Sequence, residues 1–372
     1  MAELKREPVE ATRLVFHLQK MLKLVVEEQG PPPSPSRGAA PPAPALAPCL
    51  EFLLHNNVLD VLVTLCQADS PPGIRPFIFN VFIFLLEVVR YPLLPEAAVH
   101  QPLRRLVLVC ALGKASPTET HELRFLGVLC AKIRRTPDLL HIFLDSCAAE
   151  AVTPCTFDTS REGSGRTSRA GDLHMATIER LAINVTAALS ALQCRHALAA
   201  ALANYLDSAD YLVGLQAMEA LLVVAALDSD VAAQVLVQGS PLLPALLGRL
   251  EALHAALPPD LDPSRLEEVR VGWAEVHHLH PDLEDPTFLG RAEALALLAF
   301  VDYLDSLARV AHTFVATSLA MELRTSFFEV HLQTRCQLNY MGKGPFFFVQ
   351  ALESRILNQS NTCHTGAGYW FL

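Results

Sequence analysis

Apolar residues fall into short blocks along most of the chain, and their spacing within each block is that of a helix. The densest block covers residues 77–89 and places apolar residues on almost every face, so we expect neighbours to cover this helix on both sides. A Pro-Pro-Gly turn at 71–73 precedes it, and Pro92 and Pro95 break the chain before the next block. An all-round apolar helix between short proline turns is typical of the inner layer of a stacked helical array.

The other blocks repeat this alternation of helix and break. The pattern predicts two short helices within 49–68, divided at Asn56-Asn57, a helix over 118–135 and a short helix over 138–147. Residues 288–333 have few breakers and form either one long helix or two helices with a soft joint.

Helix beginnings recur about every 20–25 residues, so a helix pair takes about 40–47 residues, the period of HEAT-like or armadillo-like units. No crisp motif repeats with that period. The pattern therefore predicts an all-α protein, an α-solenoid of degenerate HEAT/armadillo-like helix pairs.

Shifts in composition divide the chain into six segments. They are an N-terminal amphipathic helix (1–28), a Pro-rich linker (29–48), a first part of the helical solenoid (49–147), a disordered loop rich in Ser, Thr, Gly and Arg (148–172), a second part of the solenoid (173–334) and an atypical tail (335–372).

Composition is consistent with many buried helix faces. The chain has 372 residues, of which 51% are hydrophobic and 18% charged, which excludes wholesale disorder. Its length predicts two domains or an extended array rather than one compact core. The formal net charge of −10 argues against a general nucleic-acid binder, because binding to phosphate requires a basic surface.

Nothing in the pattern directs the chain to the secretory pathway or into a membrane. The N-terminus lacks the apolar core of a signal peptide, and the apolar runs 77–89 and 295–304 are too short or carry a charge at Asp302. The nine cysteines have no paired spacing and are expected to be free thiols in a reducing compartment. We therefore expect a cytoplasmic protein without a transmembrane segment.

Candidate chemistry is sparse. His277, His278 and His280 lie among acidic residues, but their spacing places at most two imidazoles on one helix face, so a solvated acidic loop is the preferred interpretation. No nucleophile elbow or phosphate-binding loop occurs in a suitable context. We expect no catalytic, cofactor-binding or metal-binding residues and no cofactor. The alternative is a cytosolic hydrolase-type enzyme whose Cys/His pair forms only in the fold.

Charge is distributed unevenly. Residues 100–135 contain seven basic and two acidic residues, whereas 260–293 contain nine acidic and three basic ones. Such segregation favours protein partners of opposite charge, although an ordinary solvated surface would look the same. Six residues of the first segment are the predicted partner-binding patch: Arg104, Arg105, Arg124, Lys132, Arg134 and Arg135.

Several stretches resemble a known family. They are PPGIR, YPLL and VHQPLRRL within 70–106, CLEFLL at 49–54, LCAKIRRTP at 129–137, GLQAMEALLVVAA at 214–226, LPPDLDPSRLEEV at 257–269 and AFVDYLDS at 299–306. Together they resemble the FHF complex subunit HOOK-interacting protein family, nearest its second subgroup, over residues 14–332. These are packing and turn motifs rather than a catalytic signature.

The resemblance implies a non-catalytic α-solenoid adaptor. It would join a Hook-family coiled-coil protein and a ubiquitin-conjugating-like subunit that lacks activity, and so link dynein to vesicle or endosome cargo marked by a Rab small GTPase. Its contact with membranes would be indirect, and the protein would be cytoplasmic and peripheral on vesicles or endosomes. The chain departs from the family pattern at its N-terminus and after about residue 334, so we expect a truncated form.

Overall fold

The computed structural model describes residues 7–29, 46–112, 117–144, 196–258, 261, 272–274, 288 and 290–330, and over these residues it is all-helical. Contacts divide the chain into two compact units, Met1–Ala201 and Leu202–Leu372. Within each unit, helices pack on their neighbours in adjacent pairs, as in an α-solenoid. The predicted fold class is therefore confirmed.

The helices of the first unit follow the sequence blocks closely. They are α1 (Leu14–Glu28), α2 (Pro48–His55), α3 (Val58–Ala68), α4 (Arg75–Val88), α5 (Ala97–Leu112) and α6 (Glu119–Arg135), followed by a 3₁₀-helix at Pro137–Phe143. Asn57 ends α2 and starts α3 in the left-handed region, at φ 52°, which gives the predicted break its geometry.

Helices two positions apart make the most extensive contacts in this unit. α4 packs along α6, and α3 packs along α5. Such pairing of alternate helices creates two layers: α3 and α5 lie in one layer, and α4 and α6 lie in the other. This is the packing that the helix-pair period predicted.

α4 is covered on several sides, as its all-round apolar sequence predicted. α1, α3 and α6 all pack against it, and its largest side chains include Phe79 and Phe82, which are buried and contact the ring of Phe125 in α6 at 5.6 and 6.3 Å between centroids. Burying such apolar surface is the main stabilising contribution in a helical stack.

The N-terminal helix is shorter than the sequence predicted. α1 begins at Leu14 because Thr12 diverts the chain: its hydroxyl donates to the Val9 carbonyl at 2.7 Å and accepts from the Leu14 amide at 3.3 Å. A 3₁₀ turn at Val9–Ala11 precedes it, and the Val9 amide donates to the Pro72 carbonyl at 3.0 Å. The partner surface of α1 is formed by α2 and α4.

A second difference concerns the short helix predicted over 138–147. The structure instead has a 3₁₀-helix at Pro137–Phe143, a geometry that is common in short segments such as this one of seven residues. Its last predicted residues lie outside the described part of the chain.

α7 (Ala197–Asn204) follows, and the second unit contains α8 (Tyr211–Ala225), α9 (Asp230–Gln238), α10 (Leu242–Ala255), α11 (Arg291–Val310), α12 (Thr313–Glu322) and a π-helical segment at Leu323–Phe328. α11 packs against α8, α10 and α12, and α12 also packs against α9. The breaks between these helices fall near Ser208, Asp228 and Ser240-Pro241.

The open choice over 288–333 is decided in favour of two helices. α11 ends at Val310 and α12 begins at Thr313, with His312 between them as the cap: its Nδ1 accepts from the Phe314 amide at 3.3 Å. The His312 amide itself donates to the carbonyl of Ala225 at 2.8 Å, so this joint is fixed by tertiary contact with the end of α8.

Several predicted segments fall outside the described residues: the loop 148–172, the tail 335–372, most of the linker 29–48 and the histidines at 277, 278 and 280. In the part of the chain that is described, no single helix is both long and apolar enough to cross a bilayer. The pairs α2/α3 and α9/α10 reach that length and composition only across bends of 59° and 51°.

Candidate interaction groove

A groove of about 250 Å³ lies where α4 and α6 end. Its floor is apolar and consists mainly of buried side chains: Leu85, Leu86, Val89, Leu93 and Leu94. Because the C-terminal ends of both helices line the same groove, α4 and α6 run in the same direction, as equivalent helices of successive solenoid units do. We call this feature the α4/α6 groove.

The turn after α4 forms one wall of the α4/α6 groove, and its conformation is fixed by hydrogen bonds on both sides. The Tyr91 hydroxyl donates to the Glu96 carboxylate, which raises the pKa of Tyr91, and a ring nitrogen of His100 lies 2.6 Å from the Leu94 carbonyl oxygen. Pro92 and Pro95 restrict the backbone further. These hydrogen bonds and prolines restrict the conformation of the wall.

Three basic residues line the groove, and among the described residues that line it none is acidic. Arg90 follows α4, whereas Lys132 and Arg135 belong to the last turn of α6. The backbone amide of Arg90 donates to the Gln29 side-chain oxygen at 2.9 Å, which joins the end of α1 to this wall. The carbonyl ends of α4 and α6 offset part of the positive charge, but only with fractional charges.

The six residues of the predicted partner-binding patch have different surroundings, and their role in binding a partner stays a prediction. Arg105 is held between helices: its guanidinium lies 2.7 Å from the Asp60 carboxylate and donates to the Thr64 hydroxyl and the Gln67 side-chain oxygen at 3.0 and 2.6 Å. Its charge is therefore compensated by these contacts at the α3/α5 interface.

Arg124 is also paired within the first unit, 3.5 Å from the Glu87 carboxylate of α4, although both side chains are largely exposed. Arg104 lies on α5 and Arg134 on the last turn of α6, and neither lines the groove. Of the six predicted residues, the α4/α6 groove brings together Lys132 and Arg135.

Sequence reasoning missed Arg90 because it lies before the basic segment that the charge count selected. A signal was nevertheless present in the sequence. Arg90 lies between the most apolar helix and two prolines, where a charged side chain is expected at the surface, next to the buried end of that helix. The groove as a whole could not be foreseen, because its lining combines two segments, 85–95 and 132–139, that lie far apart in the sequence.

The described cysteines have the properties of structural thiols. Burial raises the pKa of Cys66 and of Cys130 to about 12, and a hydrogen bond with Glu28 raises that of Cys49. A nucleophilic cysteine requires a lowered pKa, so these three thiols are poorly suited to the alternative hydrolase chemistry. Among the described residues, no group of three or more His, Cys, Asp or Glu side chains is arranged to hold a metal ion.

A comparison with protein families gives a match over most of the chain. The model of the RAI16-like family, described as retinoic acid induced 16-like protein, matches residues 49–358. The match begins immediately after the predicted Pro-rich linker and spans both units, including every residue that lines the α4/α6 groove. Because it covers well over half of the sequence, the chain belongs to the RAI16-like family.

Proposed function

We propose that this protein is a non-catalytic adaptor whose stacked helices bind other proteins. The observation that carries the proposal is the α4/α6 groove, an apolar depression with three basic residues around it on a rigid helical support. Solenoids present surfaces of this kind to protein partners. The raised thiol pKa values of Cys49, Cys66 and Cys130 favour this function over the hydrolase alternative.

The sequence resemblance to HOOK-interacting proteins supplies the identity of the partners within this proposal. They are a Hook-family coiled-coil protein and a ubiquitin-conjugating-like subunit, with a Rab small GTPase marking vesicle or endosome cargo for dynein. The protein would be cytoplasmic and peripheral on those membranes.

Co-expression tests the proposal. The full chain, the C-terminal region of a Hook protein and the ubiquitin-conjugating-like subunit should elute together from gel filtration as one species containing all three chains. Replacing the Hook region by an unrelated coiled coil of equal length provides the control. Three separate peaks with the authentic partners would contradict the proposed adaptor role.

A further inference from the structure

We propose that the α4/α6 groove binds a short acidic segment of a protein partner, with one large apolar side chain of that segment inserted between Leu86 and Leu139 and its carboxylates on Lys132 and Arg135. This inference rests on the proposed function in so far as the ligand belongs to another protein. Size, charge and rigidity of the groove each support it.

The size of the groove favours a side chain over a small-molecule ligand. Its volume of about 250 Å³ lies below the range of roughly 300–1,000 Å³ typical of ligand and cofactor pockets. One leucine or phenylalanine side chain and part of the adjoining backbone would fit. An apolar floor fixes such an anchor by removing its surface from water.

Charge complementarity determines what flanks the anchor. Neither Lys132 nor Arg135 forms an ion pair within the described residues, and the groove has no acidic lining residue to compete for them. The two residues are three positions apart on α6, so their side chains leave the helix on the same face. Acidic residues on both sides of the inserted apolar side chain would bind Lys132 and Arg135 without displacing an ion pair between described residues.

The groove requires little reorganisation on binding. Tyr91, His100 and Gln29 hold the wall through the hydrogen bonds described above, and the floor is packed core. A preformed wall reduces the ordering cost that weakens many short-peptide interactions.

The experiment is a fluorescence anisotropy titration of the full chain with labelled ten-residue peptides. Each probe carries Asp-Glu-Xaa-Glu-Asp within Gly-Ser flanks, where Xaa is Leu, Phe or Ser. We expect saturable binding with a Kd below about 1 mM for the Leu or Phe probe, and binding at least about tenfold weaker for the Ser probe. Probes with Asn and Gln in place of the acids should also bind at least about tenfold more weakly.

Matched variants locate the site. Arg135→Glu should weaken the best probe by about tenfold, whereas Arg134→Glu makes the same change of charge at the neighbouring position outside the groove and should leave the Kd within about twofold. Thr136→Trp fills the groove from its exposed rim and should abolish binding without altering the charge. Circular dichroism melting curves establish that each variant is folded.

Three results would overturn the inference: no saturable binding of the Leu and Phe probes, equal effects of Arg134→Glu and Arg135→Glu, or preference for inorganic phosphate or phosphatidylserine vesicles over the acidic peptides. Failure here leaves the three-chain complex of the proposed function untouched. Conversely, saturable peptide binding by a chain that forms no complex with the Hook region would refute the partners while supporting the groove.

Discussion

Arg135 in the first unit and Arg249 in the second unit have opposite surroundings. At the α4/α6 groove, Arg135 is exposed and its charge faces water. In the second unit, the guanidinium of Arg249 lies 5.3 Å from the ring centroid of Phe300, with 3.2 Å to the Asp207 carboxylate, and burial lowers its pKa. The first arrangement keeps a charge available to a partner, and the second uses the charge and its aliphatic stem in the helix packing.

The surroundings of Arg249 are aromatic as well as polar. Tyr303 stacks on Phe300 and contacts Trp273 edge to face, with centroids 5.8 and 5.3 Å apart, and its hydroxyl donates to the Met218 carbonyl at 3.2 Å. Trp273 is held by Asp302, whose carboxylate accepts its amide at 3.1 Å. This Arg249 cluster joins α8, α10 and α11, so we assign it to stability.

Removing an aromatic ring from the Arg249 cluster should cause the largest loss of folding stability. Phe300→Ala deletes a buried ring between Arg249 and Tyr303 and should lower the free energy of unfolding by about 3–5 kcal/mol in urea titrations. Phe52→Ala is the control, because that ring is 62% exposed and its loss should change stability by less than about 0.5 kcal/mol. Equal effects would mean that the cluster is not packed as described.

Acid should reveal a buried titratable group that has no counter-charge among the described residues. His196 precedes α7 and is fully buried, and its Nδ1 accepts from the Ala199 amide at 3.2 Å. Within the described part of the chain its Nε2 has no hydrogen-bond partner. Burial lowers its pKa from 6.5 to about 4. The unfolded chain therefore takes up a proton at a higher pH than the folded chain does.

This difference contributes stability that is complete above about pH 6.5 and is lost progressively as the pH falls through about 4, by about 3 kcal/mol in total. His196→Asn keeps an acceptor for the Ala199 amide but cannot titrate. Urea titrations from pH 7 to 4 should show a shallower loss of stability in the variant. Parallel curves for the two proteins would contradict the assigned burial of His196.

The smallest expected effects on stability distinguish the partly buried Arg249 from the exposed Arg135. Asp207→Asn should cost about 0.5–1 kcal/mol, because it removes the counter-charge of the partly buried Arg249, while exposure of the Asp207 carboxylate to water weakens the ion pair. Arg249→Met should cost less than that, since it also removes the burial penalty and the unpaired Nε. Arg135→Met at the groove should stay within about 0.5 kcal/mol of the parent. A larger loss for Arg249→Met than for Asp207→Asn would show that the cation–π contact dominates.

Local pattern was sufficient for the helices and for most of their breaks. Three features act on the chain within a few residues: the apolar run around Phe79, the Asn56-Asn57 junction and the prolines after α4. Their effect can therefore be predicted from the local sequence. The predicted helices were wrong in two places. At the start of α1, hydrogen bonds of the Thr12 side chain to the backbone compete with the helix. At Pro137–Phe143, the short segment forms a 3₁₀-helix.

The candidate site was only partly predictable. A count of charges found Lys132 and Arg135, but it treated them as equivalent to Arg105 and Arg124, which are paired with Asp60 and Glu87 on other helices. A count along the chain cannot distinguish a neutralised cation from an unpaired one, because the acidic partner is 37 to 45 positions away. The count missed Arg90 because that residue precedes the segment 100–135.

The sequence by itself determined that this chain folds as short, mostly apolar helices in stacked pairs, because helix periodicity and proline or glycine breaks are local properties. Only the tertiary structure decided which arginines remain available, where α11 ends against Ala225, and that the ends of α4 and α6 enclose a groove. Those outcomes depend on contacts between residues far apart in the chain, whose energies exist only once the helices have packed.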